Sequence, residues 1–142
     1  MHKFLVPIDG SDDAHHALEY ALRLAKEKSS IELHIVTVHP EPNVYSQTQV
    51  YVTETQMVQL QLQHSQDILA PALEAAKKAG VEHTSEILIG NTATMIVKRA
   101  EELGCDGIIM GTQGSGTLGS LFMGSVAVKV VHLTKLPVTL VK

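Results

Sequence analysis

GTQGSGTLGSLFMGSV, Gly111 to Val126, carries five glycines and no charged side chain. The apolar run GIIM, Gly107 to Met110, empties into it, and an apolar stretch with helical spacing follows. It therefore joins a strand to a helix through a nearly bare backbone. Ordered glycine loses more conformational entropy than any other residue, so this density implies positive φ or the close approach of something to the main chain.

On either side of this stretch the pattern is regular. Strand-length runs rich in Val, Ile, Leu and Phe stand at Lys3–Ile8, Ile31–Val38, Glu86–Ile89, Gly107–Met110 and Pro137–Val141. Helical patterns lie between them: Ser11–Lys28, with Asp12 and Asp13 in its first turn, then Val58–Ala79, Thr92–Leu103 and Gly124–Thr134. Val58, Leu62, Leu69, Leu73 and Ala76 repeat at helical spacing, as do Ile96, Ala100 and Leu103, so each helix has one face to bury. Strands alternating with such helices predict an α/β fold, a five-stranded parallel sheet sandwiched by helices. A chain of 142 residues suits a single domain spanning 1–142. The segment His39–Gln56 has two prolines and is long for a strand-to-helix connection. It follows a strand end where open α/β sheets bind ligands, and reads equally as a lid or as a solvated excursion.

Composition narrows the function. A net charge of −4 gives no basic face for nucleic acid. The balance is uneven, since no Asp or Glu follows Asp106 while Lys129, Lys135 and Lys142 do, so an anion meets least repulsion there. The first apolar stretch ends at Asp9, short of a secretory signal, and no run approaches membrane length, which predicts a cytoplasmic protein without a membrane partner. One cysteine, Cys105, forms no internal disulfide and reads as a small unreactive residue before a strand.

Three glycine spacings compete within the opening stretch. Gly114, Gly116 and Gly119 form a literal GxGxxG, but no acid follows to hold a ribose, so the dinucleotide reading fails. Gly119 and Gly124 have P-loop spacing, yet Ser125 stands where the phosphate-binding lysine belongs and Val126 where the hydroxyl belongs. The third spacing is Gly111-x2-Gly114-x9-Gly124-Ser125. With VPIDGS at Val6–Ser11, the strand ending at Val38, Gly90-Asn91 and the terminal PVTLV, it resembles the universal stress protein family, in particular the branch that binds ATP, over essentially the whole chain. Free N–H groups and the positive end of a helix opening at Gly124-Ser125 suit a phosphate, so the glycines read as a backbone wrapping a polyphosphate.

The resemblance implies a Rossmann-like sheet, close to the adenine nucleotide alpha hydrolase fold, and a nucleotide site. Pro7 and Asp9 would border the nucleoside, and the Val38 main chain would read the adenine edge. Met110, Gly111, Gln113, Gly114, Gly124, Ser125 and Val126 would line ribose and phosphates. Asp9 is open between accepting from adenine or ribose, holding a metal-bound water, and simply stabilising the turn. The ligand would be ATP, ADP or AMP, with Mg²⁺. Gln113 stands where many relatives place a basic residue, which leaves phosphate neutralisation to the helix end, to Lys129 if it points inward, and to the metal.

Among the eight histidines no pair has local metal-ligand spacing; His15 and His16 read as exposed, and only His39 lies near a ligand-bearing strand end. No metal site of side chains and no catalytic residue is assigned. The expected function is a nucleotide-responsive stress module rather than an enzyme, with a slow ATPase or self-phosphorylating protein as the alternative, since the only arginines are Arg23 and Arg99 in mid-chain helices. A phosphorelay receiver is disfavoured, because Leu88-Ile89-Gly90 stands where its third-strand aspartate is required. The resemblance further implies that the final strand lies at a sheet edge and pairs with its copy in a homodimer, with proline at Thr139 weakening that pairing.

Overall fold

Strands and helices alternate throughout the computed structural model, which describes residues 2–40, 54–113 and 123–142. Their order is β1 (His2–Pro7), α1 (Asp12–Glu27), β2 (Ile31–His39), α2 (Glu54–Ala79), β3 (His83–Ile89), α3 (Thr92–Glu102), β4 (Gly107–Gly111), α4 (Ser125–Leu133) and β5 (Val138–Val141). The strands form one parallel sheet in the order β3-β2-β1-β4-β5, the α/β architecture expected.

The period of two along each strand sorts side chains onto two faces. Leu5, Val36 and Ile108 pack with Ile96 and Ala100 of α3 and Val130 of α4. Val6, Leu33, Ile35 and Ile109 face the other way, onto Ala17 and Ala21 of α1 and Leu69 and Ala76 of α2. Alanines along α1 and α3 let these helices lie close to the strands. Ser11 caps α1 by accepting from the Ala14 N–H at 3.3 Å, and Asn91 caps α3 by accepting from the Thr94 N–H at 3.1 Å.

Two expectations are corrected. α2 begins at Glu54, and Val58 and Leu62 are exposed rather than buried, each at 38%. A helix of 26 residues is about 39 Å long, whereas the nine residues of β2 span about 30 Å. Leu69, Ala72 and Ala76 in the second half of α2 are buried in the core, whereas the first half meets the sheet at its margin, where buried Ser65 bonds His39 and Val58 and Leu62 border Ile87 and Ile89. β3 starts at His83 instead of Glu86, because polar His83, Thr84 and Ser85 continue the pairing with Leu33–Ile35 at an edge where one side meets water. Cys105 is buried, and burial pushes its thiol pKa up, in keeping with an unreactive role. Among the described residues no helix is long and apolar enough to cross a membrane.

Candidate functional site

Hydrogen bonding along β1 alternates between its neighbours. His2 and Ile8 donate to Ser30 and Val36 on the β2 side, whereas Lys3 accepts from Asp106 on the β4 side. By this alternation Pro7 faces β4, and proline has no N–H to give. Pairing of β1 with β4 is confined to Phe4↔Gly107 and Leu5↔Ile108, although β4 and β5 stay paired up to Gly111↔Val141. The strands part beyond that point, where the sheet order reverses direction. A cleft of about 360 Å³ occupies the gap, at the carboxyl ends of the strands.

Every site residue expected from the sequence lines this cleft, with one exception: Pro7, Asp9, Val38, Met110, Gly111, Gln113, Gly124, Ser125 and Val126 are all brought together. Gly114 lies outside the described residues, as does the segment 41–53, which holds most of the expected lid. Thr92, Ile96, Thr112 and Ala14 also line the cleft and escaped the sequence reading. Thr92 opens α3 directly after the Gly90-Asn91 pair, and that adjacency was the available signal.

The backbone presents groups from three elements. Leu33 donates to Glu82, so odd-numbered residues of β2 face β3 and even-numbered ones face β1. Val38 accordingly points its N–H and C=O past the end of β1, whose last pair is Pro7↔Val36. The N-terminus of α4 opens onto the cleft through Gly124 and Ser125, and its N-cap, Gly124, has no side chain to cap it, unlike Ser11 of α1 and Asn91 of α3. Gly124 donates to the Thr112 carbonyl at 2.6 Å, which closes the 112–124 excursion at its base.

Asp9 fills one of the roles left open for it, the turn, and borders the cleft as well. Its Oδ1 accepts from the Ser11 N–H at 2.9 Å, stabilising the turn, while the residue also lines the cleft. Asp13, absent from the expected set, accepts from the Thr112 hydroxyl at 2.9 Å and the Gln113 N–H at 3.1 Å through one oxygen, Oδ2. Gly111 has a different reason for being glycine than a wrapped polyphosphate. A Cβ there would stand 2.7 Å from the Asp13 carbonyl carbon and 2.9 Å from the Ala14 nitrogen, so the position is bare because α1 lies against it.

Other candidates fall away from the cleft. Lys129 is exposed and does not line it. His39 turns toward α2, sharing a hydrogen bond of 2.9 Å with Ser65 Oγ; burial, reinforced by the nearby His64, holds its pKa below the ordinary range. His15 and His16 are exposed as expected. Arg99 is engaged with Glu86 at 2.8 Å, within a cluster that the sequence did not reveal. There His34 Nε2 donates to the same Glu86 oxygen at 2.9 Å, and Nδ1 meets the Thr84 hydroxyl. Among the described residues no group of three or more His, Cys, Asp or Glu side chains could hold a metal ion.

Comparison with known proteins agrees with this geometry. Residues 1–142 match the Universal stress protein family. The universal stress protein YxiE of Bacillus subtilis is 35% identical, over 99% of this chain and 98% of its own length. The solved structure of the universal stress protein UspA from Lactobacillus plantarum superposes with a TM-score of 0.85 at 20% identity, covering 99% of this chain and 97% of that one. A universal stress protein in complex with cAMP is 25% identical, with a TM-score of 0.72, and covers 99% of this chain and 97% of that one.

Proposed function

This chain belongs to the universal stress protein family, and we propose that it is a cytoplasmic regulatory module that binds an adenine nucleotide, ATP, ADP or AMP, in the cleft between β1 and β4. The observation that carries this reading is the N-terminus of α4, whose N-cap is a glycine with no capping side chain, opening onto a cleft lined by Pro7, Asp9, Val38 and Met110. Val38 offers one main-chain donor and one acceptor, the pair needed to read an adenine edge. Ile8, Ile96 and Met110 provide an apolar surround for the base. The Ser125 hydroxyl and the first-turn N–H groups of α4 would hold phosphate, and Asp9 would accept from ribose or hold a water on Mg²⁺. A relative bound to cAMP supports an adenine ligand. Nucleotide occupancy would alter the surface around the cleft and thereby the protein's partners.

The test is to denature freshly purified protein, identify any released nucleotide, and titrate stripped protein with ATP, ADP and AMP in the presence of Mg²⁺. A resident adenine nucleotide, or saturable binding at millimolar concentration or below, is expected. Absence of both sinks the reading.

Efficient catalysis is not part of it. Arg99 is taken up by Glu86 and Glu102, and neither arginine lines the cleft, so a phosphoryl transition state would lack an arginine partner. Turnover below about 1 per second is expected, and a rate at or above it would overturn this and make the protein an enzyme in the ordinary range. We further propose a homodimer through β5, a sheet edge whose Val138 and Leu140 side chains pack inward while their backbone groups face outward.

A further inference from the structure

We infer that the Thr92 hydroxyl is a base-reading group of the cleft, accepting a hydrogen bond from the exocyclic amino group of a bound adenine beside the main chain of Val38. This rests on the nucleotide-binding reading above and adds to that site a residue that recognises the amino group.

The turn from β3 into α3 holds Thr92 next to the end of β2. The Gly90 N–H donates to the His39 carbonyl at 2.8 Å, which ties the turn to the residue directly after Val38. Gly90 has a φ of +143°, and a Cβ on it would stand 3.0 Å from Met95 Cγ, so the turn folds down onto α3 at a position suited to glycine. Asn91 then caps the helix, its Oδ1 accepting from the Thr94 N–H at 3.1 Å and from the Thr94 hydroxyl at 3.0 Å. Thr92 has no part in that cap. Among the described residues its hydroxyl forms no hydrogen bond, and no buried side-chain oxygen there lacks a partner, so this one is open to what fills the cleft.

Thr92 stands one turn before Ile96, so the two share a face of α3, and both line the cleft with Val38. Val38 and Ile96 belong to one packed cluster. Thr92, Ile96 and Val38 thus make one wall, whereas Gly124 and Ser125, at the phosphate end, belong to the start of α4. A hydroxyl on the Val38 wall meets the base. Adenine carries two hydrogens on its amino nitrogen, and the Val38 carbonyl takes one of them. The other would lie among Ile8, Ile96 and Met110, where an unmet donor is costly. A threonine oxygen has lone pairs to accept it.

Calorimetric titration of the full chain and of Thr92→Val with AMP and with purine riboside 5′-monophosphate, which is AMP without the amino group, tests this as a cycle. Displacement of bound AMP measures the second ligand where its own heat is small. Thr92→Val is expected to weaken AMP about fivefold and to change the amino-free nucleotide by less than about twofold. Thr92→Ser, which keeps the oxygen, is expected to hold AMP within about twofold of wild type. Thr92→Ala takes the place of the valine variant if that variant does not fold. Equal loss of both ligands would move the hydroxyl to the ribose or phosphate, and unchanged AMP affinity without the hydroxyl would remove it from recognition; either overturns the inference and leaves nucleotide binding standing. Failure of the wild type to bind either nucleotide overturns both.

Discussion

Asp13, in the first turn of α1, accepts a hydrogen bond from the Thr112 hydroxyl at the end of β4, 2.9 Å away and 99 positions along the chain. The same oxygen takes the Gln113 N–H at 3.1 Å, so one carboxylate fixes the point at which β4 leaves the sheet. Asp13→Ala is expected to cost about 2 kcal/mol in stability by chemical denaturation, the scale of hydrogen bonds to a charged acceptor. It should also weaken nucleotide binding, while Asp13→Asn, which keeps an acceptor, retains more of both. Unchanged binding by a folded Asp13→Ala variant would separate this carboxylate from the site.

Gly111 meets the backbone of α1 rather than the far end of a side chain, so the neighbour cannot give way. Gly111→Ala is expected to destabilise by about 3 kcal/mol, an overpacking cost, through the 2.7 Å approach to Asp13. Thermal melts of the variant and wild type provide the check. A melting temperature within error of wild type would show that α1 can shift outward freely.

Glu86 sets an acid limit on stability. Burial alone would raise its pKa, but hydrogen bonds from Arg99 and His34, with their charges, outweigh it and hold the carboxyl below its ordinary 4.5. A carboxyl with a depressed folded pKa contributes stability that is present above the unfolded value and lost as pH falls through the folded one. Glu86→Gln should therefore be less stable than wild type at neutral pH, with the gap closing below about pH 4. Urea titrations at several pH values measure it, and a gap that widens on acidification would contradict the sign.

The β5 edge yields a contrast between two prolines. Ile108 and Thr112 donate to Pro137 and Val141, so odd-numbered residues of β5, Thr139 among them, face β4. Val138 and Leu140 carry the outward N–H groups. Proline at Thr139 is thus corrected from a dimer probe to a fold probe: it should lower stability by removing a ladder donor. Leu140→Pro should shift sedimentation toward monomer while leaving nucleotide affinity nearly intact. A wild-type chain that is monomeric at micromolar concentration removes the proposed dimer.

Much of this architecture was legible because local chemistry and tertiary demand coincide. The runs at Leu5–Val6, Leu33–Val36 and Ile108–Ile109 are apolar because both faces of the sheet are covered, and the cleft residues are the ones that end strands or open helices. Asp13 was not legible as a site residue, since an acid in a first helical turn has a sufficient local reason to be there and its partners lie on a distant strand. The His34–Glu86–Arg99 cluster was hidden likewise, because its members come from β2, β3 and α3 with no common spacing. In α2 the periodicity of Val58 and Leu62 was real, but they sit at the margin of the sheet beside Ile87 and Ile89 and stay exposed.

The 2.6 Å bond from the Gly124 N–H to the Thr112 carbonyl means that the chain enters α4 beside the point at which it leaves β4. Doubling the length of such an excursion costs only about 0.6 kcal/mol in closure entropy. What the frame fixes is therefore the place where α4 begins, beside the end of β4 and at the mouth of the cleft.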